Sequence, residues 1–227
     1  MAPRFRSRPD GSKYPIGGGG GAATVIAGGA AFAIWAASSG AGGIGAGVGG
    51  GGGTAASAMS AAESAVVRNI SKNLSKARKD VQRGKPVQAW RRLGLRKGTS
   101  KTREAAECAV FSYGRVQDFF TRNPCRGLHR VQFPVSYDGG SASVLVSRVQ
   151  MRNATQARQF RRLIDEHGSG DVESFLPGVQ FTGEHYDSAR ERSAVFVAEA
   201  AAASGDVPAQ VLDSVAEAAV LLVRRAT

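Results

Sequence analysis

Apolar and polar positions change rhythm several times along this chain. From Tyr14 to Ala62 no charged residue occurs, and the centre of that stretch, Gly21–Ala37, is mostly Ala and Gly with Val25, Ile26, Phe32, Ile34 and Trp35. A helical rhythm follows: Val66, Ile70, Leu74, Ala77 and Val81 recur at three and four residues, with Arg68, Lys72, Lys76, Lys79 and Asp80 on other faces. This predicts a basic amphipathic helix over residues 55–82, ended by Gly84 and Pro86. A shorter segment, 87–97, sets Trp90, Leu93 and Leu95 among Arg91, Arg92, Arg96 and Lys97. Ala106, Val110, Tyr113, Val116 and Phe120 then predict a helix over 102–121, stopped by Asn123-Pro124.

The rhythm next shortens to two. Val131, Phe133, Val135 and Tyr137 alternate, predicting a strand over 128–137 in which Pro134 marks an edge or a bulge. Asp138-Gly139-Gly140 is a hairpin turn, and a second strand returns over 142–151. Asn153 caps a helix over 154–166, with Gln156 at the capping-box position and Gly168 ending it. Two more strands are predicted at 179–187 and 193–201, joined near 188–191, and a last helix begins near Pro208 with Val211, Val215, Ala218 and Leu222 on one face. The fold class is α+β: an antiparallel sheet of about four strands with helices on one face. A Gly/Ala-rich transmembrane segment and the basic amphipathic helix precede it. The domains read as a basic, mobile tail (1–15), a membrane segment with a flexible neck (16–54), a basic helical linker (55–101) and the α+β domain (102–227).

The uncharged stretch decides the compartment of the rest. A spanning helix needs about 20 mostly apolar residues, and residues 22–41 supply that length. Its strongly inserting residues are few and its glycines many, so a Gly/Ala linker is the alternative. Ala56-Ser57-Ala58 is a loose signal-cleavage site, but the apolar block lies far from it.

Charge sharpens this picture. The net charge is +12. Residues 1–15 hold four basic residues against one acidic, and residues 63–103 hold thirteen against two. The remaining 104–227 is slightly acidic, with thirteen basic and fifteen acidic residues. The basicity therefore flanks the uncharged stretch, a pattern suited to a membrane surface or a nucleic acid. The positive-inside bias puts the N-terminus in the cytoplasm and the C-terminal domain outside, as a single-pass cell-membrane protein. A membrane hairpin turning near Gly40–Gly43, with both basic flanks inside, is the other topology. The basic surface comprises Arg68, Lys72, Lys76, Lys79, Arg91, Arg92, Arg96 and Lys97. It fits anionic lipid or nucleic acid, or the solvated face of a stalk helix.

Cys108 and Cys125 would be two thiols in a reducing cytosol, whereas outside the membrane an even count favours a disulfide. They lie near Glu107-Cys108-Ala109-Val110-Phe111-Ser112-Tyr113-Gly114-Arg115-Val116-Gln117-Asp118-Phe119-Phe120 and Asn123-Pro124-Cys125. With His167-Gly168-Ser169-Gly170-Asp171-Val172 and Val179–Ser188, these segments resemble a family of uncharacterised membrane-anchored actinobacterial proteins. The resemblance covers about 107–223 and the segment Trp90–Leu95. It implies a disulfide between Cys108 and Cys125 and a domain outside the membrane, and it implies no activity.

No catalytic constellation emerges. His129, Asp165, Glu166, His167, Asp171, Glu184, His185 and Asp187 are the acid/base candidates, without a triad context. Gly168-Ser169-Gly170 lacks the lysine and following helix of a phosphate loop. No CxxC or HxxxH spacing offers a metal site, and no cofactor is implied. His185 and Tyr186 mark a candidate pocket, with a half-buried strand position as the plainer alternative. The expected function is binding or sensing of a ligand or protein partner by a membrane-anchored domain. The alternative is a cytoplasmic-facing, membrane-tethered protein whose basic segment binds nucleic acid or anionic lipid.

Overall fold

The computed structural model describes residues 4–7, 13–16 and 59–224. From Gly17 on, the predicted membrane segment and neck lie outside the described residues. Among those described, no helix is long and apolar enough to cross a membrane. Near the N-terminus β1 (Arg4–Ser7) pairs antiparallel with β2 (Lys13–Ile16).

The basic helix, α1, runs Ala61–Gln82. Ser60 caps it in a reciprocal box: its hydroxyl accepts the Glu63 N–H at 3.2 Å, and Glu63 Oε2 accepts the Ser60 N–H at 2.7 Å. Val66, Ile70, Ala77 and Val81 are buried as their spacing requires. Gly84, at φ 73°, reverses the chain into α2 (Pro86–Arg92), which starts on a proline as helices tolerate. Asp80 is buried, not on a solvent face. Its Oδ2 accepts Arg92 Nε at 2.5 Å and its carbonyl accepts the Lys85 N–H, so it fastens α1 to α2.

Six strands, not four, make the main sheet. β3 (Arg96–Lys97) and β4 (Lys101–Ala105) both pair with β5 (Gly127–Tyr137), and β6 (Gly140–Gln150), β8 (Ala194–Ser204) and β7 (Tyr186–Glu191) follow, all antiparallel. β3 and β4 act as one edge strand broken at 98–100. Lys97 faces Val135 and Lys101 faces Gln132, so three residues oppose Phe133 and Pro134. Gly98 N–H bonds the Pro134 carbonyl at 2.9 Å. The ring nitrogen of Pro134 is on that same side, so the missing donor falls where the ladder is already interrupted. The proline thus marks a bulge in its neighbour while lying in an internal strand.

The helix expected over 102–121 is absent as such. Residues 101–105 are β4, Ala109–Phe111 is a 3-10 turn, and only α3 (Gly114–Arg122) is α-helical. Lys101–Ala105 find ladder partners in β5, which outweighs local helical spacing. Gly114, at φ 63°, separates turn from helix, and Val110 and Tyr113 of the supposed inner face are exposed. Cys108 therefore sits in a connector, where it is disulfide-bonded to Cys125 with Cα atoms 6.0 Å apart.

α4 (Ala154–Ile164) begins where expected, Asn153 Oδ1 accepting the Gln156 N–H at 2.9 Å. The strand expected over 179–187 starts only at Tyr186. From Asp165 to His185 the chain is irregular, with Gly168, Gly170, Gly178 and Gly183 all at positive φ. The last hairpin turns at Arg192 (φ 52°), not at 188–191. α5 (Ala209–Val223) closes the chain.

Helices cover both faces of the sheet, not one. Residues of α1, α2 and α5 form a core with Phe133, Val135, Val144, Val146, Ala198 and Ala200. Residues of α3 and α4 form another with Leu128, Val149, Val195 and Val197 on the opposite face. Both β5–β6 and β8 are long enough to serve the two cores by alternation.

Candidate ligand-binding site

Cavities lie on both faces of the sheet. One, of about 600 Å³, opens between α1, α2, the broken edge strand and the C-terminal end of α5. Trp90, Leu95, Val131, Phe133, Leu222 and Val223 wall it, with Val87 on the exposed rim. Trp90 and Phe133 meet edge to face, centroids 5.6 Å apart at 75°. The break at 98–100 shapes the mouth: a Cβ on Gly98 would lie 2.7 Å from the Pro134 ring, so glycine lets the edge pass close.

Cations contribute to the lining of this groove. Arg91, Arg96 and Lys97 do so together with Ser100 and Thr102, and no acidic residue does. Lys97 Nζ lies 4.4 Å from the Phe133 ring centroid and donates to the Ser100 hydroxyl and the Gly98 carbonyl. That partial burial lowers the ammonium pKa, because no opposite charge offsets the lost hydration.

Part of the other face is polar. Arg130, Gln132, Ser143, Ser147 and Glu199 are buried on it, beneath the irregular segment 165–185. Arg130 Nη1 donates to the Glu173 carbonyl at 2.8 Å, and its guanidinium stands 4.4 Å from the Phe111 ring and 5.5 Å from that of Phe175. Burial lowers its pKa. Gln132 Oε1 accepts the Leu176 N–H at 3.3 Å, and Glu199 Oε1 accepts the Gly183 N–H. The segment is thus held by side chains reaching up from the sheet. Its other edge is tied to the disulfide-bonded connector: Tyr113 N–H bonds Asp171 O, Val116 N–H bonds Ser169 O, and Glu173 N–H bonds Phe111 O.

Under this segment lies a cavity of about 190 Å³ lined by Tyr113, Glu166, His167, Asp171, Thr182 and Tyr186, among others. Asp171 is buried, which raises its carboxyl pKa to about 7, although the Val172 N–H bonds the carboxylate at 2.6 Å. The Tyr113 hydroxyl is also pushed up, first by burial and then by the charges of Asp171, Glu199 and Glu173.

Of the acid/base candidates, Glu166, His167 and Asp171 meet at this cavity. Glu166 also pairs with Arg115 at 2.7 Å. Asp165 accepts the Ser188 hydroxyl at 2.5 Å and lies near Arg161, while His129 faces Glu104 at 3.8 Å. His185 and Tyr186 part company: His185 Nδ1 meets Asp213 of α5 at 3.1 Å on one face, and Tyr186 lines the small cavity on the other. Glu184 is exposed and Asp187 is half-buried on β7. On α1, Arg68, Lys72, Lys76 and Lys79 are exposed, as are Arg91, Arg92, Arg96 and Lys97 beyond it.

Sequence reasoning missed Arg130, Gln132 and Glu199, whose polar character reads as a solvent face in β5 and as an isolated charge in the apolar run Val195–Ala202. The acid in that run was the available signal. Among the described residues no group of His, Cys, Asp and Glu is arranged to hold a metal ion. No family model, curated protein or solved structure matches this chain.

Proposed function

We propose that the α+β domain is the ligand-binding part of a membrane-anchored protein, and that it binds or senses an apolar ligand, or an apolar portion of a partner, and does no catalysis. The observation that carries this reading is the groove of about 600 Å³ walled by Trp90, Phe133, Val131 and Leu222. Its size and apolar walls fall within the usual range for small-molecule sites. The titratable groups of the opposite face support the same reading. Arg130 and Glu199 hold backbone there. The anchoring part of the proposal places the uncharged stretch in the cell membrane, the N-terminus in the cytoplasm and the domain outside. The disulfide Cys108–Cys125 supports an oxidising location. Membership of the actinobacterial membrane-anchored family belongs to the same proposal and rests on the resemblance of residues 107–223.

Photo-crosslinking of the full chain with a neutral aliphatic diazirine tests the binding site. Labelled peptides from 87–102 and 131–133 are expected, and Val131→Trp, which fills the groove, should abolish them. Absence of groove labelling overturns the reading. For the disulfide on which that location rests, a maleimide should label Cys108 and Cys125 in denatured extracts only after reduction. Labelling of the unreduced extract overturns the disulfide and removes its support for an oxidising location.

The exposure of Arg68, Lys72, Lys76 and Lys79 along α1 favours a second reading, in which this face binds nucleic acid or anionic lipid. Binding of the full chain to DNA should then weaken steeply with salt, since each phosphate contact releases counterions. No binding at low salt removes the nucleic-acid version.

A further inference from the structure

The apolar groove carries a charge asymmetry that narrows its ligand. Its walls are aromatic and aliphatic, while Arg91, Arg96 and Lys97 gather among its lining residues. Among the described residues none of these three has an acidic partner within ion-pair distance. Asp138 shares an adjoining cavity with Arg91 and Arg96 but does not line the groove. Lys97 is the telling group. It folds over the Phe133 ring and donates only to neutral oxygens, those of Gly98 and Ser100. A partly desolvated ammonium with neutral acceptors gains most from an anion placed beside it.

We infer that the groove takes a single-chain amphiphile with an anionic head group, its chain between Trp90, Phe133, Val131 and Leu222 and its head against Arg96 and Lys97. The inference rests on the proposed binding role of the groove and adds the ligand's chemistry. A neutral chain would satisfy the walls and leave the cations unanswered. A small anion would satisfy the cations and leave the walls wet. Only an amphiphile answers both, and the Ser100 and Thr102 hydroxyls offer donors to a head group's remaining oxygens.

The test uses the full chain and two diazirine probes of one chain length, a fatty carboxylate and the matching fatty alcohol. The carboxylate should label groove peptides at least about tenfold more than the alcohol, as charge-assisted hydrogen bonds predict. In the double variant Arg96→Glu/Lys97→Glu, both exposed positions, that preference should vanish while the disulfide and helical content persist. Unlabelled fatty acids should compete more strongly by roughly fourfold per added methylene until the groove is filled.

Equal labelling by carboxylate and alcohol overturns the anionic head and leaves the apolar groove standing. Equal competition by acetate and by long-chain acids shows a simple anion site and overturns the amphiphile. Labelling confined to residues 17–58, or absent altogether, overturns both this inference and the binding role on which it rests.

Discussion

On one face of the sheet, α1, α2 and α5 lay Val, Ala and Leu against Phe133, Val144 and Ala198 in one apolar cluster. On the other, α3 and α4 cover only part of the surface, and the irregular segment 165–185 covers the rest by bonding to Arg130, Gln132 and Glu199. The first closure draws on burial, which is non-directional and adds with area. The second draws on directed bonds, each of small net worth but demanding if left half made. The first face should therefore hold the domain's global stability and the second its local motions. The groove lies on the first face, walled by Trp90, Phe133 and Leu222. The small cavity with Asp171 lies on the second.

The strongest way to break this contrast is to cut into the apolar face. Ile70 is fully buried between α1 and the rest of that core. Ile70→Ala should cost about 2–5 kcal/mol of global stability, read from denaturant midpoints at constant slope. A cost under about 1 kcal/mol would show that α1 is a loosely docked appendage.

On the polar face the largest lever is pH. The Asp171 carboxyl is raised from 3.8 to about 7 in the folded protein. An acid with a raised folded pKa holds its proton more tightly when native. Between roughly pH 4 and 7 the folded state then binds more protons than the unfolded one, so stability falls as pH rises through that window. Asp171→Asn resembles the protonated form. It should match the wild type near pH 4 and exceed it by up to about 4 kcal/mol at pH 8, at about 1.36 kcal/mol per unit. An unchanged difference across that range sinks the assignment.

The disulfide comes next. It ties the connector that holds segment 165–185 to the start of β5, and it closes seventeen residues of chain. The double variant Cys108→Ser/Cys125→Ser should lose about 3 kcal/mol. It should also speed amide exchange at Tyr113 and Val116, which bond that segment, before exchange in α5 is affected.

What the sequence disclosed follows the same division. The apolar faces of α1, β5 and α5 were legible because each repeats a period long enough to override chance. Asn153 was legible as a cap because its bond is local. The stretch 101–113 was not, since Ala106, Val110 and Tyr113 keep helical spacing while Lys101–Ala105 are claimed by distant partners in β5. Nor was the burial of Arg130 and Gln132. Alternation says which side of a strand a residue takes, and the polar side is assigned to water unless a covering loop is foreseen. The groove shared this fate in part. Trp90, Arg96 and Lys97 stood out as an apolar residue among cations, but the wall supplied by Leu222 comes from the far end of the chain.

The finest discrimination is at Arg130, where replacing a buried charge and merely loosening a clasp predict different things. Arg130→Met keeps an apolar stem in the sheet and removes the donor to Glu173 O and the two ring contacts. Removing a desolvated charge that has no carboxylate contact offsets much of that loss, so global stability should move by no more than about 1 kcal/mol. Segment 165–185 loses its central tether while Gln132 and Glu199 remain. Exchange at the Leu176 and Gly183 amides should therefore rise at least about tenfold, a local opening that leaves the rest of the sheet protected. If Arg130→Met instead lowers global stability by more than about 3 kcal/mol and exchange rises uniformly, the clasp is part of the cooperative core and the two faces do not differ in kind. If neither changes, the directed bonds of Gln132 and Glu199 suffice to hold the segment, and the arginine is kept there by its rings alone.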